Sequence, residues 1–299
     1  MIIMIKLKEY LSTILIDIFS ELKFISHVDS GTESVNYLVG ILEKKYIAKI
    51  YITKNENEVK HELFLISNLQ NFILIPQPIA IRAKFINFIS GYPLVLFKYI
   101  NDPQPNAQNV STTFFYKLGY ALGLFHSKTL NVPFNCYWCE NKIIDYLKYN
   151  RKLFPPEIIG CIDKEMDDIQ INLNLNNSNY IIHGDISFKN LFYDRDLTFI
   201  DFSDTTKGNI GLEIGIIIRN MFLKNSVPHE YFRYFIIGYN KSNHFDFYNL
   251  NYWTKLACIR YILLMHSKFL NYSYYPNKLE ENYLLLKKAD NFIFQLSDS

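Results

Sequence analysis

Cysteine is scarce in this chain, with four in 299 residues: Cys136, Cys139, Cys161 and Cys258. Cys136 and Cys139 form a lone Cys-x-x-Cys. No second pair and no histidine at ligand spacing accompanies it, which argues against a structural zinc site, and no thioredoxin-like context surrounds it. Reduced thiols in a cytoplasmic protein are the expectation. Charge of one sign is also missing. Lys and Arg number 31 and Asp and Glu 29, a net +2, which excludes the basic face of a nucleic-acid binder and an acidic disordered tail. Long hydrophobic runs are absent too. The opening segment is apolar, but Lys6, Lys8, Glu9 and Asp17 interrupt it and no small-residue cleavage site follows. It reads as an amphipathic helix rather than a signal peptide or a membrane span. No internal repeat and no long low-complexity stretch occurs.

What remains is a chain that is 49% hydrophobic and long enough for two lobes. After a helix over 5–22, Tyr37 to Leu42 and Lys45 to Ile52 read as strands. Alternation in the second puts Lys49 on one face with Ile47 and Tyr51. Residues 56–69 carry Val59, Leu63, Ile66 and Leu69 at helical spacing. Ala83 to Ser90 and Leu94 to Tyr99 read as a hairpin around Gly91-Tyr92-Pro93. The polar, proline-containing stretch 101–111 reads as a linker. Beyond it, helices are expected over 112–129, 141–153, 157–172, 212–224, 228–239, 249–270 and 278–296, with short strands at Tyr180 to Ile182, Leu191 to Tyr193 and Thr198 to Phe202. The expected division is a first lobe over 1–100, a linker over 101–111 and a second lobe over 112–299. The fold class is α+β: a small antiparallel β lobe followed by a larger, mainly helical lobe, the layout of a kinase.

Chemistry concentrates between Asn179 and Asp204. Asp185 and Asn190 lie five residues apart in a loop between short strands, and Asp201 ends the next strand. Phosphoryl transfer needs a carboxylate to orient the attacking hydroxyl and hard oxygen donors to hold Mg²⁺ against phosphate. Asp185 is therefore assigned as the base, Asn190 and Asp201 as metal ligands, and His183 as a support for the loop. Asp-x4-Asn alone occurs by chance in many chains. The longer string, His-Gly-Asp-x4-Asn, an apolar strand and then Ile-Asp-Phe, is much more specific.

His183 to Asn190 and Ile200 to Asp204 resemble the motif of the aminoglycoside phosphotransferase superfamily, which also contains choline kinases and type II homoserine kinases. The resemblance implies a protein-kinase-like fold, ATP and Mg²⁺ as cofactors, and a small-molecule hydroxyl acceptor. It further implies that Lys49 contacts the α- and β-phosphates and that Glu62 pairs with Lys49, with Glu58, one turn earlier, as a competitor. The loop from Asp29 to Tyr37 falls where the phosphate-covering loop belongs. It has a single glycine, and Ser30, Thr32 and Ser34 could add hydroxyls to its backbone N–H groups. Leu96 to Ile100 falls at the adenine hinge. Two departures stand out: Ser203 replaces a frequent glycine after the metal-binding Asp, and Glu213 stands where an Asp is usual.

For the acceptor, Gly31 to Tyr37, Gly91-Tyr92-Pro93 and Ala257 to Tyr261 are most similar to type II homoserine kinases. Arg260 could then grip a substrate carboxylate, or be an ordinary ion-paired helix arginine. Aminoglycoside and choline kinases, a protein Ser/Thr kinase of this fold and a nucleotide-binding scaffold are the alternatives. The helical lobe is not strongly acidic, which disfavours a polycationic acceptor. The intact set of Lys49, Asp185, Asn190 and Asp201 disfavours the scaffold. Oligomeric state has no signature in the sequence.

Overall fold

The computed structural model describes residues 9, 13–15, 22–28, 33–134, 140–156, 158–160, 162–165, 180–247, 249–269 and 275–297. Ser30, Thr32, Cys136, Cys139 and Cys161, most of the expected N-terminal helix, and the end of the helix expected over 157–172 lie outside the described residues. The chain divides into two compact units. One comprises Met1–Asp102 with Thr198–Ser203, the other Pro103–Leu197 with Asp204–Ser299.

The first unit is built on an antiparallel sheet. Its strands are β1 (Leu22–Val28), β2 (Ser34–Ile41), β3 (Lys44–Tyr51), β4 (Pro78–Ile79), β5 (Asn87–Ile89) and β6 (Tyr92–Lys98). The order is β1-β2-β3-β6-β4, with β5 also pairing β6. One face carries a core of Val35, Tyr37, Val39, Ile41, Ala48, Ile50, Leu94 and Leu96. Period-2 alternation turns Lys49 and Tyr51 to the other face, where helix α1 (Glu56–Leu69) lies. The hairpin expected over 83–99 is shorter than its pattern suggests. Arg82 and Ala83 have φ of 51° and 63° and make a tight turn that pairs Ile81 with Lys84. Ser90 and Gly91, at φ of 50° and 84°, make the next. Two successive positive φ values give the turn whose twist suits a two-residue hairpin, so Tyr92 and Pro93 fall inside β6.

Helix α1 starts at a capping box. Asn55 Oδ1 accepts from the backbone N–H groups of Asn57 and Glu58, and Glu58 Oε2 accepts from Asn55 N at 2.8 Å. That box fixes where the helix begins and hence which residues face inward. Val59, Glu62, Leu65, Ile66 and Leu69 are buried. Leu63, expected inside, is only half-buried because Glu62 holds the inner position. The segment Thr198–Ser203 joins this unit through a bridge between Leu74 and Thr198 and a bond from Phe199 N to Leu74 O, 3.0 Å.

The second unit is mainly helical: α2 (Thr112–Thr129), α3 (Glu140–Asn150), α4 (Ile210–Ile217), α5 (Tyr231–Tyr239), α6 (Leu250–Phe269) and α7 (Tyr275–Ser297), with short strands β7 (Tyr180–Ile182), β8 (Leu191–Tyr193) and β10 (Thr206–Gly208); β9 (Leu197–Phe199) spans the unit boundary. Ser111 caps α2 by accepting from Phe114 N. Helices α2 and α5 touch backbone to backbone, since a Cβ on Gly119 would sit 2.1 Å from the Phe235 carbonyl oxygen. The helix expected over 212–224 is α only as far as Ile217. Residues Ile218–Leu223 then form a π turn, a local widening often found at functional sites. No helix among the described residues is long and apolar enough to cross a membrane.

Candidate active site

In the first unit a cluster forms around Lys49. Its Nζ lies 3.2 Å from Glu62 Oε1, 3.0 Å from Asp201 Oδ1 and 3.0 Å from Ser203 Oγ. It also sits 4.7 Å from the centre of the Tyr51 ring, and Tyr51 donates its hydroxyl to Glu62 Oε1 at 3.0 Å. Lys54 adds a second cation, 3.4 Å from Glu62 Oε2 and 2.7 Å from the Ser203 carbonyl oxygen. Of the two candidate glutamates, Glu62 meets Lys49, while Glu58 closes the α1 cap. Burial alone would lower the Lys49 pKa. The carboxylates of Asp201 and Glu62 overcome it and hold the ammonium well above its ordinary value. Burial likewise pushes Glu62 up, but Lys49 and Lys54 override it and leave the carboxyl below its ordinary value. Lys49 and Glu62 are therefore both charged at neutral pH.

Asp201 has φ of 60°, left-handed and uncommon for a residue with a Cβ. The bridge at Leu74 holds the strand before it, and the Lys49 and Lys54 contacts hold Ser203 after it. Its side chain is 42% exposed, against 4% for Glu62, so its carboxylate lies nearer solvent. Ser34 is buried at the start of β2, opposite Tyr51.

In the second unit the loop from His183 to Asn190 is pinned at its base. The backbone N–H groups of His183 and Gly184 both donate to the Glu213 carboxylate, which is fully buried on α4. His126 Nδ1 is 2.8 Å from the Tyr239 hydroxyl, and its Nε2 is 3.9 Å from Glu213. His183 itself is buried and accepts from Asp185 N at Nδ1, 3.4 Å. Gly184 has φ of 83°, and a Cβ there would stand 2.3 Å from the Asp204 carbonyl oxygen. Only glycine fits.

The two oxygens of Asp185 are treated differently. Oδ2 accepts from Asn190 Nδ2 at 2.9 Å and pairs with Lys189 Nζ at 3.1 Å. Oδ1 meets only long contacts, 3.5 Å to Asn220 Nδ2 and 3.4 Å to the Tyr261 hydroxyl. Asn190 also donates to the Asp185 carbonyl oxygen, 2.8 Å, so its amide N–H groups are committed and its carbonyl oxygen is the end left for a cation. Arg260 was open to two readings, a substrate clamp or an ordinary helix arginine. It is fully buried, and its Nη1 donates to the Gly184 carbonyl oxygen at 2.9 Å. From mid-helix α6 it supports the backbone of the loop at Gly184.

No three His, Cys, Asp or Glu side chains gather into a metal cage among the described residues. Asp201 in the first unit carries a carboxylate and Asn190 in the second an amide oxygen, each a hard-oxygen donor of the kind that suits Mg²⁺.

The sequence matches the phosphotransferase enzyme family (APH) over residues 25–248. The chain belongs to that family. It is a phosphotransferase with an alcohol group as acceptor. No curated protein matches the sequence. Among solved structures, the phosphotransferase is similar to spectinomycin phosphotransferase APH(9)-Ia in complex with ADP and spectinomycin, at 16% identity and TM-score 0.71, covering 95% of this chain and 98% of that one. A microcompartment-associated aminopropanol kinase matches at 14% identity and TM-score 0.74, covering 96% and 97%. Choline kinase LicA from Streptococcus pneumoniae matches at 15% and 0.68, covering 94% and 97%. At such identities these likenesses speak for a shared protein-kinase-like fold.

Asn220, Lys189 and Lys54 escape the sequence reading, which names Tyr51 only for its strand face and Tyr261 only within the stretch Ala257 to Tyr261. Asn220 and Tyr261 reach Asp185 from helices 35 and 76 residues further along the chain, and no local spacing announces them. Ser203 was visible as a departure from glycine, without a hint that it would meet Lys49.

Proposed function

We propose that this phosphotransferase moves the γ-phosphoryl group of ATP to the hydroxyl of a small amino alcohol that also carries a carboxylate, of the homoserine kind. The observation that carries the catalytic part is the asymmetry of Asp185. With Oδ2 held by Asn190 and Lys189, Oδ1 is left facing two polar donors at long range, the geometry of a base whose bonds tighten when an acceptor arrives. In this reading Asp185 orients the acceptor hydroxyl and takes its proton as the oxygen attacks phosphorus and the bond to the ADP oxygen breaks. Lys49, held by Glu62, contacts the nucleotide phosphates. Asp201 and Asn190 serve as oxygen donors to Mg²⁺, which when bound would neutralise phosphate charge. Ser34, with Ser30 and Thr32, is assigned to the phosphates by its hydroxyl. No residue is required as a covalent phosphoryl carrier.

For the acceptor, the second unit supports an anionic group. Lys189, a largely exposed cation, stands 3.1 Å from Asp185 Oδ2. Such a neighbour disfavours a polycation. The solved relatives named for spectinomycin, aminopropanol and choline favour a second reading, an amino alcohol without a carboxylate. A Mg-ATP assay against homoserine, 1-amino-2-propanol, choline and aminoglycosides separates them. Turnover confined to acceptors without a carboxylate overturns the first reading. Transfer that survives Asp185→Ala overturns the catalytic assignment.

A further inference from the structure

Behind Asp185 lies a charge that the proposed chemistry does not use. Arg219 sits in the π turn Ile218–Leu223 and is 1% exposed. Its Nη1 donates to Asn220 Oδ1 and its Nη2 to Asn282 Oδ1. Its guanidinium lies 3.5 Å from the centre of the Tyr261 ring. No carboxylate pairs with it among the described residues. Asp185 and Glu281 act on it only through their charge. An arginine keeps its proton in proteins, and a buried cation without a counter-ion costs more than an apolar side chain filling the same space. As helix filling alone, Arg219 is a poor solution.

We propose that Arg219 is a positioning residue for Asp185, acting through Asn220 and Tyr261. The inference rests on the reading of Asp185 as the base. Asn220 has an amide oxygen and an amide nitrogen, and the guanidinium can only donate. With Oδ1 facing Arg219, the Nδ2 end must face the loop. There it donates to the Ile186 carbonyl oxygen at 2.8 Å and reaches Asp185 Oδ1 at 3.5 Å. Tyr261 is fixed by the same group from the other side. Its ring stacks on the guanidinium while its hydroxyl points at the same oxygen, 3.4 Å away. Burial, and then the Asp185 charge, keep that phenol neutral, so it acts as a donor. One arginine thus sets both groups that face the free oxygen, and the π turn is what places Arg219 and its chain neighbour Asn220 side by side in the interior.

The test is steady-state kinetics and thermal unfolding of the full chain with Mg-ATP and the best acceptor of the panel. R219M and Y261F are made singly and together, with D185N as a control. R219M is expected to lower kcat by about 10–100-fold, the scale of a displaced catalytic group, with KM for ATP within about twofold of the parent. Y261F, which keeps the ring, is expected to lose less. The double variant is expected to lose clearly less than the product of the two, because both act on one oxygen. Full kcat in R219M, or losses that multiply, overturn the proposal. A fall in Tm with kcat unchanged at a permissive temperature assigns Arg219 to packing alone and also overturns it. Should R219M not fold, R219K carries the same test, because an ammonium cannot serve Asn220 and Asn282 with one planar fork. If D185N retains turnover, the reading of the site fails. If D185N is inactive and R219M is not impaired, only this inference fails.

Discussion

Lys49 shows how much a single buried charge can carry. Removing it as Lys49→Met leaves the buried Glu62 with Lys54 and the Tyr51 hydroxyl and takes a cation from Asp201. The expected loss is about 3–5 kcal/mol in a denaturant titration, the scale for breaking a buried pair from one side. The pH dependence has a definite sign. Folding lowers the Glu62 pKa from its ordinary 4.5, so this carboxylate stabilises the fold above that value and loses its contribution as pH falls through the lowered one. Folding raises the Lys49 pKa from 10.5, so its contribution is full below that value and is lost as pH rises through the raised one. Between those limits the pair contributes fully. His126 behaves differently. Burial lowers its pKa from 6.5 against a smaller opposing pull from Glu213. Its contribution is full above 6.5 and is lost as pH falls through the lowered value. Acidification from neutrality is therefore expected to loosen the second unit before the Lys49 cluster, seen as faster hydrogen exchange in α2 and the 183–190 loop, once corrected for intrinsic rates, while β3 stays protected. Asp185, Asn190 and Asp201 were legible as candidates in the sequence because one short stretch fixes their spacing. Arg219, Asn220 and Tyr261 were not, because the loop meets them only after α4, the π turn and α6 have packed.

At the scale of elements, helix ends and turns decide where the chemistry sits. Asn55→Ala removes the acceptor end of the α1 capping box and is expected to cost about 1 kcal/mol. The same change lets the first turn fray, so KM for ATP is expected to rise with kcat nearly constant. An unchanged KM would separate the cap from the placement of Glu62. Lys54→Met tests the other end of the cluster. It leaves the Ser203 carbonyl without its 2.7 Å partner, so the half-saturating Mg²⁺ concentration is expected to rise several-fold as Asp201 loses its fixed neighbour. Gly184→Ala is the most severe change in the loop, with a strained φ and a Cβ 2.3 Å from a backbone oxygen. A loss above about 2 kcal/mol is expected. The sequence pattern found most of these elements but misplaced several ends. The two-residue turn at Arg82-Ala83 and the switch from α to π at Ile218 depend on backbone conformations that ordinary side chains do not advertise.

For the whole molecule, the alternation of short strands and then long helices was readable because each obeys its own hydrophobic period. The allegiance of Thr198–Ser203 was not, since those residues lie amid sequence belonging to the second unit. The chain therefore passes between its two compact units three times, after Asp102, after Leu197 and after Ser203. A gene cut at any one place cannot yield both halves intact. A product ending at residue 102 would keep Lys49 and Glu62 yet lack Asp201, and its sheet-and-helix body would miss the strand that meets Leu74. Such a piece is expected to bind nucleotide far more weakly than the full chain in a titration with Mg-ATP. Recombination that exchanged acceptor specificity among relatives would have to carry over a short internal insert as well as the leading body. A swap of one whole unit therefore needs two exchanged segments, not one.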